Sequence, residues 1–183
     1  MSPTLDRLQT LLDSVRAGRA LRADDRDYIH NAYWGGDKNE TILAVDILAA
    51  SPKPLDLPVL LDASSLENWW VMRCGVADAL SQLRKEGPGL LAIMRAKETH
   101  PIVRFYIERA LIDLDDPSMR EFLEGPIPPN SAPYRRSLWV YGNFQRGWIE
   151  RDQALGYVSR LLEDPRRRFD WIRDYALDQG PDE

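Results

Sequence analysis

Cysteine is almost absent from this chain: Cys74 is the only one in 183 residues. A lone thiol excludes a disulfide scaffold and fits a reducing compartment. Histidine is nearly as scarce, with only His30 and His100. That leaves little for a metal centre or for imidazole-driven proton transfer. No apolar run approaches the roughly 18 residues of a membrane span. Strand signals are missing as well. There is no sustained period-two alternation and no Asn-Gly or Asp-Gly hairpin turn. Nor is there a basic excess. The chain carries 24 Lys and Arg against 29 Asp and Glu, a net charge of −5, whereas surplus cations supply most of the affinity of nucleic-acid binders. The opening residues Met1-Ser2-Pro3-Thr4-Leu5-Asp6 lack the basic-then-apolar order of a secretion signal. The expectation is a cytoplasmic protein, off the membrane, monomeric alone, with nucleic acid disfavoured as a partner.

What is present reads as one folded domain over 1–183, since about 150 residues make a typical domain and 44% of this chain is hydrophobic. Helical periodicity runs throughout. Leu5, Leu8, Leu11, Leu12 and Val15 form one stripe, ended near Gly18. Ile29, Ala32 and Tyr33 mark a second helix, stopped by Gly35 and Gly36, and Val45 and Leu48 a third, stopped before Pro52. Further helices follow from Trp69 to Leu83, around Leu90 to Met94, from Val103 to Leu114 and around Met119 to Leu123. The stretch 125–133, Gly-Pro-Ile-Pro-Pro-Asn-Ser-Ala-Pro, is too proline-rich for a helix interior. Helices are expected again over 132–144, 150–162 and 166–177, for ten or eleven in all, with a disordered tail at 179–183.

Self-similarity is the strongest signal. Pro101, Pro133 and Pro165 are 32 residues apart, as are Arg104, Arg136 and Arg168. Each Pro-x-x-Arg reads as the same helix start, because proline suits the first helical turn. One unit earlier the spacing is 31. Met72, Arg73, Val76, Ala79, Leu80 and Leu83 match Val103, Arg104, Ile107, Ala110, Leu111 and Leu114. Shorter apolar helices lie between these, so the unit is helix, turn, helix. In this pattern, and most closely in Met72-Arg73…Ala79-Leu80 and Val103-Arg104…Ala110-Leu111, the chain resembles the HEAT-repeat family over about residues 38–178. Two units depart from it, with Gly142-Asn143 and Asp174-Tyr175 where Ala-Leu is expected.

The resemblance implies an all-α fold: a right-handed α-solenoid of stacked antiparallel helix pairs, 31–32 residues per repeat, with 1–37 as N-terminal capping helices. It implies that Arg73, Arg104, Arg136 and Arg168 join neighbouring repeats through acidic side chains and helix-end carbonyls. It also implies a concave surface lined by the face opposite the core stripe. Helical geometry places Cys74, Asp78 and Ser81 on that face, then Phe105, Arg109 and Ile112, then Ser137, Tyr141 and Phe144, then Phe169, Arg173 and Ala176. Phe105, Arg109, Tyr141, Phe169 and Arg173 are of the types that anchor protein interfaces, so they are the expected partner-binding row; the alternative is that a solenoid helix is buried on two sides, with Phe105 or Phe144 as packing. Trp69 and Trp70 are adjacent and cannot both face one way, so one is expected to be exposed or at the repeat seam.

Catalytic signals are weak. There is no Walker loop, no Gly-x-Gly-x-x-Gly and no nucleophile elbow. Cys74 has no histidine beside it. Asp27 and His30 share a helical face, but nothing completes a metal site, and no cofactor is expected. The function expected is a non-enzymatic binding module holding another protein, a toxin or enzyme domain blocked in the manner of an immunity protein. Two alternatives remain. One is a glycosylase-like HEAT enzyme on duplex DNA, using Trp139, Trp171 and Asp170; the other is an assembly or lyase-like chaperone.

Overall fold

The structure, a computed structural model, describes residues 2–129 and 133–162. It is all-helical: ten α-helices and a short 3-10 turn, Pro54–Asp56, with no strand among the described residues. The helix expected at 166–177 lies outside them. No helix among them is long and apolar enough to cross a membrane.

The helices begin and end where local chemistry dictates. α1 (Pro3–Arg16) starts on the Ser2 hydroxyl, which accepts from the Leu5 N–H at 3.2 Å. It ends at Gly18, whose φ of +79° suits the left-handed closing residue of a helix. α2 (Ala23–Gly35) carries Asp24 and Asp25 in its first turn, against the positive helix end. α3 (Lys38–Ala50) opens on a reciprocal cap: Asp37 accepts from the Asn39 and Glu40 N–H groups, and the Glu40 side chain accepts from the Asp37 N–H. α4 (Leu57–Ala63) is short. α5 (Trp70–Gln82) starts without a side-chain cap. α6 (Gly87–Lys97), α7 (Pro101–Asp113), α8 (Pro117–Glu124), α9 (Pro133–Gln145) and α10 (Arg151–Leu162) complete the set. Four of these helices, α6 to α9, have proline in their first two positions.

Four helices share a length and a phase. α3, α5, α7 and α9 are each 13 residues long, and their starts at Lys38, Trp70, Pro101 and Pro133 are 32, 31 and 32 residues apart. α7 and α9 also close alike. Asp115, at φ +53°, donates its N–H to the Ile112 carbonyl and Asp116 to that of Leu111; Gly147, at φ +65°, donates to Phe144 and Trp148 to Asn143. Each is the double-bonded C-terminal motif in which one residue turns left-handed.

By its contacts the chain divides into two compact units, Met1–Ala110 and Leu111–Glu183. In the first, α3 packs against α1, α2, α4 and α5, and α5 packs against α4 and α6. Its core is the expected stripe residues: Leu8, Leu12, Ile29, Val45, Leu48, Val76, Leu80, Val103 and Ile107 are all buried. In the second, α9 packs against α8 and α10. Gly142 explains one departure from the repeat pattern. A Cβ there would lie 2.6 Å from Leu123 Cδ2, so the glycine permits a close approach of α8. Asn143 Nδ2 then donates to the Leu123 carbonyl at 3.2 Å.

Leu80 and Leu111 hold equivalent places in α5 and α7 and are both buried. Leu80→Ala and Leu111→Ala are each expected to cost about 2–5 kcal/mol, the range for truncating a packed leucine. Chemical denaturation measures it; an unchanged midpoint would mean that the stripe is misassigned.

Candidate functional site

The row expected to face a partner is mostly interior. Phe105 is 1% exposed, Arg109 5% and Tyr141 4%. Phe169 and Arg173 lie outside the described residues. The expectation of solvent exposure is therefore corrected for the first three. The physical reason is that a helix flanked on both sides by others buries two faces, so an aromatic opposite the core stripe is packing. Their polar atoms face protein. Arg109 Nη2 donates to Asp78 Oδ1, and the Tyr141 hydroxyl donates to Asp113 Oδ1 at 2.6 Å. The arginine row divides. Arg73 is buried against Glu98, Arg136 is buried and donates to the Pro128 carbonyl at 2.9 Å, and Arg104 is exposed with Glu108 4.0 Å away. Arg168 lies outside the described residues.

The remaining candidates for chemistry also have internal partners. Asp56 is fully buried and takes three donors: Arg26 Nη1, the Lys53 N–H at 2.8 Å and His30 Nε2, 2.9 Å away. This ties α2 to the 3-10 turn and accounts for His30. Cys74 is buried, and burial, with Asp78 nearby, pushes its thiol up to about 12, the opposite of an activated nucleophile. No three His, Cys, Asp or Glu side chains among the described residues gather to hold a metal.

The first unit holds an open cleft of about 600 Å³ near the starts of α3, α5 and α7. Trp69 and Trp70 line it, with Lys38, Glu67, Arg73 and His100. The Trp70 and His100 rings are parallel to within 8°, with centroids 5.2 Å apart. The Lys38 ammonium sits 3.9 Å over the Trp69 ring, a cation on the negative face of an indole. Behind this wall lies a buried ion pair. Arg73 Nε donates to Glu98 Oε2 at 2.7 Å and Nη2 to Oε1 at 3.2 Å, while Nη1 reaches the Asn68 carbonyl. Glu98 Oε1 also accepts the Thr99 and His100 N–H groups at 3.0 and 2.8 Å. Burial alone would raise the Glu98 carboxyl; the Arg73 guanidinium and the His100 and Thr99 N–H groups outweigh it and hold the group below its ordinary 4.5.

Large apolar side chains are exposed in the same unit, and Trp69 among them lines the cleft. Trp34 is 58% exposed, Leu61 49%, Leu66 52% and Trp69 45%. Some of their neighbours are joined by internal contacts. Trp34 packs edge-on against Tyr33, the Tyr33 hydroxyl donates to Asp62 at 2.5 Å, and Asn68 donates to the Asp62 carbonyl at 2.7 Å. The sequence left one of Trp69 and Trp70 to be exposed or at the repeat seam, and Trp69 is the exposed one. Sequence reasoning missed Lys38 and His100, although a signal existed. Helices in phase place their first residues side by side, so positions 38, 69–70 and 100 were predictable neighbours. No protein-family model matches the chain, and neither a curated protein nor a solved structure is significantly similar to it.

Two outcomes follow from this geometry. Glu98→Ala leaves the buried Arg73 without its carboxylate, and removing one partner of a buried pair costs about 3–5 kcal/mol. Because Glu98 is depressed in the fold, its contribution is present above its ordinary value of 4.5 and is lost as pH falls through the lower native value. Denaturation from about pH 6 down to about pH 3 should therefore be steeper in the wild type than in the variant; parallel profiles would contradict this. Phe105→Ala should lower stability by about 3–5 kcal/mol, as for a buried aromatic, where a surface residue would leave the melting temperature unchanged.

Proposed function

We propose that this chain is a non-enzymatic, cytoplasmic protein-binding module of the HEAT-like kind, a right-handed α-solenoid of stacked antiparallel helix pairs. Four 13-residue helices in a 31–32-residue phase, separated by shorter ones, support the architecture. The observation that carries the binding role is the cleft where the exposed Trp69 stands with Trp70, Lys38, Glu67 and His100, while Trp34, Leu61 and Leu66 are exposed in the same unit. Tryptophan is prominent among interface anchors. The partner is another protein, and a toxin or enzyme domain covered by this surface is the form that fits a small acidic chain. Phe105, Arg109 and Tyr141 act in this reading as the packing that holds the helices in place.

A DNA-directed enzyme has less support. Trp139, one of three residues named for it, donates its indole N–H to the Gly125 carbonyl at 3.0 Å; Asp170 and Trp171 lie outside the described residues. The test is affinity capture from the native host with the wild type and with the Trp34→Ala, Trp69→Ala double variant. The expected result is a protein retained by the wild type and lost by the variant, at an unchanged melting temperature, since a true anchor contributes about 2 kcal/mol or more. Retention by both proteins would overturn the site. Tight duplex DNA binding with a steep salt dependence would transfer the reading to the enzyme.

A further inference from the structure

The Trp69 cleft holds two opposite charges that the protein does not pair. Arg73 is neutralised by Glu98 behind the wall. Beyond the His100 imidazole, the charged groups left on the lining are Lys38 and Glu67. Among the described residues, neither the ammonium nor the carboxylate makes an ion pair or a hydrogen bond. They line one cleft yet stay beyond ion-pair distance of each other. The Lys38 ammonium is held instead 3.9 Å over the Trp69 ring, a contact that fixes a cation without neutralising it.

The rest of the lining suits a small molecule. Small-molecule sites measure about 300–1,000 Å³ and set a few polar groups in aromatic or apolar walls; this cleft measures about 600 Å³. Trp69 is 45% exposed. Trp70 is half-buried and lies parallel to His100, and its indole N–H has no acceptor among the described residues. Other polar groups of the lining are engaged. The Asn68 amide donates to the Asp62 carbonyl at 2.7 Å, and the Thr41 hydroxyl to the Asp37 carbonyl at 2.8 Å. What the cleft offers is therefore one ammonium, one carboxylate and indole surface with an N–H to donate. A ligand with a single charge answers one of the two ions and leaves the other. A small body that carries an anion, a cation and an apolar ring answers all of them.

We propose that this cleft binds an aromatic amino acid as its zwitterion. The ligand carboxylate pairs with Lys38 and accepts from the Trp70 indole N–H, its ammonium pairs with Glu67, and its ring lies on the indole surface that Lys38 leaves open. The site goes beyond the protein-binding reading and does not rest on it.

The experiment uses the full chain, labelled with nitrogen-15, and follows backbone amide shifts at about pH 6, where α-amino groups are protonated. Three probes are titrated: L-phenylalanine, N-acetyl-L-phenylalanine, which lacks the ammonium, and L-phenylalaninamide, which lacks the carboxylate. L-Phenylalanine should shift the amides of Lys38, Glu67, Trp69 and Trp70. It should bind about fivefold more tightly than either derivative, as for one solvent-accessible ion pair. Lys38→Gln should abolish its advantage over the amide and keep that over the acetyl derivative; Glu67→Gln should do the reverse. Both positions are exposed, so the melting temperature should stay unchanged. Equal binding of the three probes, no saturable shift with L-phenylalanine, or shifts confined to other parts of the chain would overturn the proposal. So would a preference that survives both substitutions. Capture of a native protein that depends on Trp34 and Trp69 would stand in each of those cases, so the two readings fail separately.

Discussion

A guanidinium inside a protein has to be neutralised and hydrogen-bonded, or its desolvation outweighs what its packing contributes. Arg73 meets that requirement with Glu98, and the first unit's open site depends on the pair. Arg73 belongs to α5; Glu98 directly follows α6; the same carboxylate grips the Thr99 and His100 N–H groups just ahead of α7. One buried carboxylate thus fixes three elements. It holds His100 where its ring can lie parallel to Trp70. Asp56 repeats the device at α2, taking Arg26, His30 and a backbone N–H.

The helices were legible because their signals are local. Proline at helix starts and apolar spacing of three and four are properties of neighbouring residues, and the phase of Arg73, Arg104 and Arg136 foreshadowed the spacing of the helix starts. Burial of a second face was legible only as one of two readings. Phe105 and Tyr141 were read as outward because they stand opposite a well-defined stripe, a rule suited to a helix with one packed side. α3 touches four other helices, and in such surroundings a phenylalanine on either face is core. The arginine row failed for a related reason. Equivalent positions shared a residue type without sharing a partner: Arg73 found a carboxylate, Arg136 a carbonyl, and Arg104 lies at the surface. Trp34 and Trp69 were less legible still. An exposed tryptophan and a buried one have the same letter, and only the packed structure distinguishes them.

Ion pairs between helices in phase follow the repeat more faithfully than the arginines did. Arg109 reaches Asp78 and Arg146 reaches Asp115, each across 31 residues. A contact with that separation joins corresponding points of consecutive units, so it fixes their spacing. Arg109 and Asp78 are therefore parts of the scaffold. Burying the arginine stem also covers apolar surface, which is why an outward-reading arginine ended inside.

The exposed apolar residues of the first unit stand in contrast. Trp34, Leu61, Leu66 and Trp69 each leave close to half or more of their surface in water, although apolar burial is worth about 25 cal/mol per Å². The fold does not use that potential: the stripes of α1, α3, α5 and α7 form a core without them. Scattered single exposures need no explanation, but Trp69 lines an open cleft. A partner that filled the cleft would cover the Trp69 indole and supply the apolar contacts that the fold leaves unused. Affinity in such a surface resides in the few central aromatics, while the rim sets orientation and excludes partners of the wrong sign.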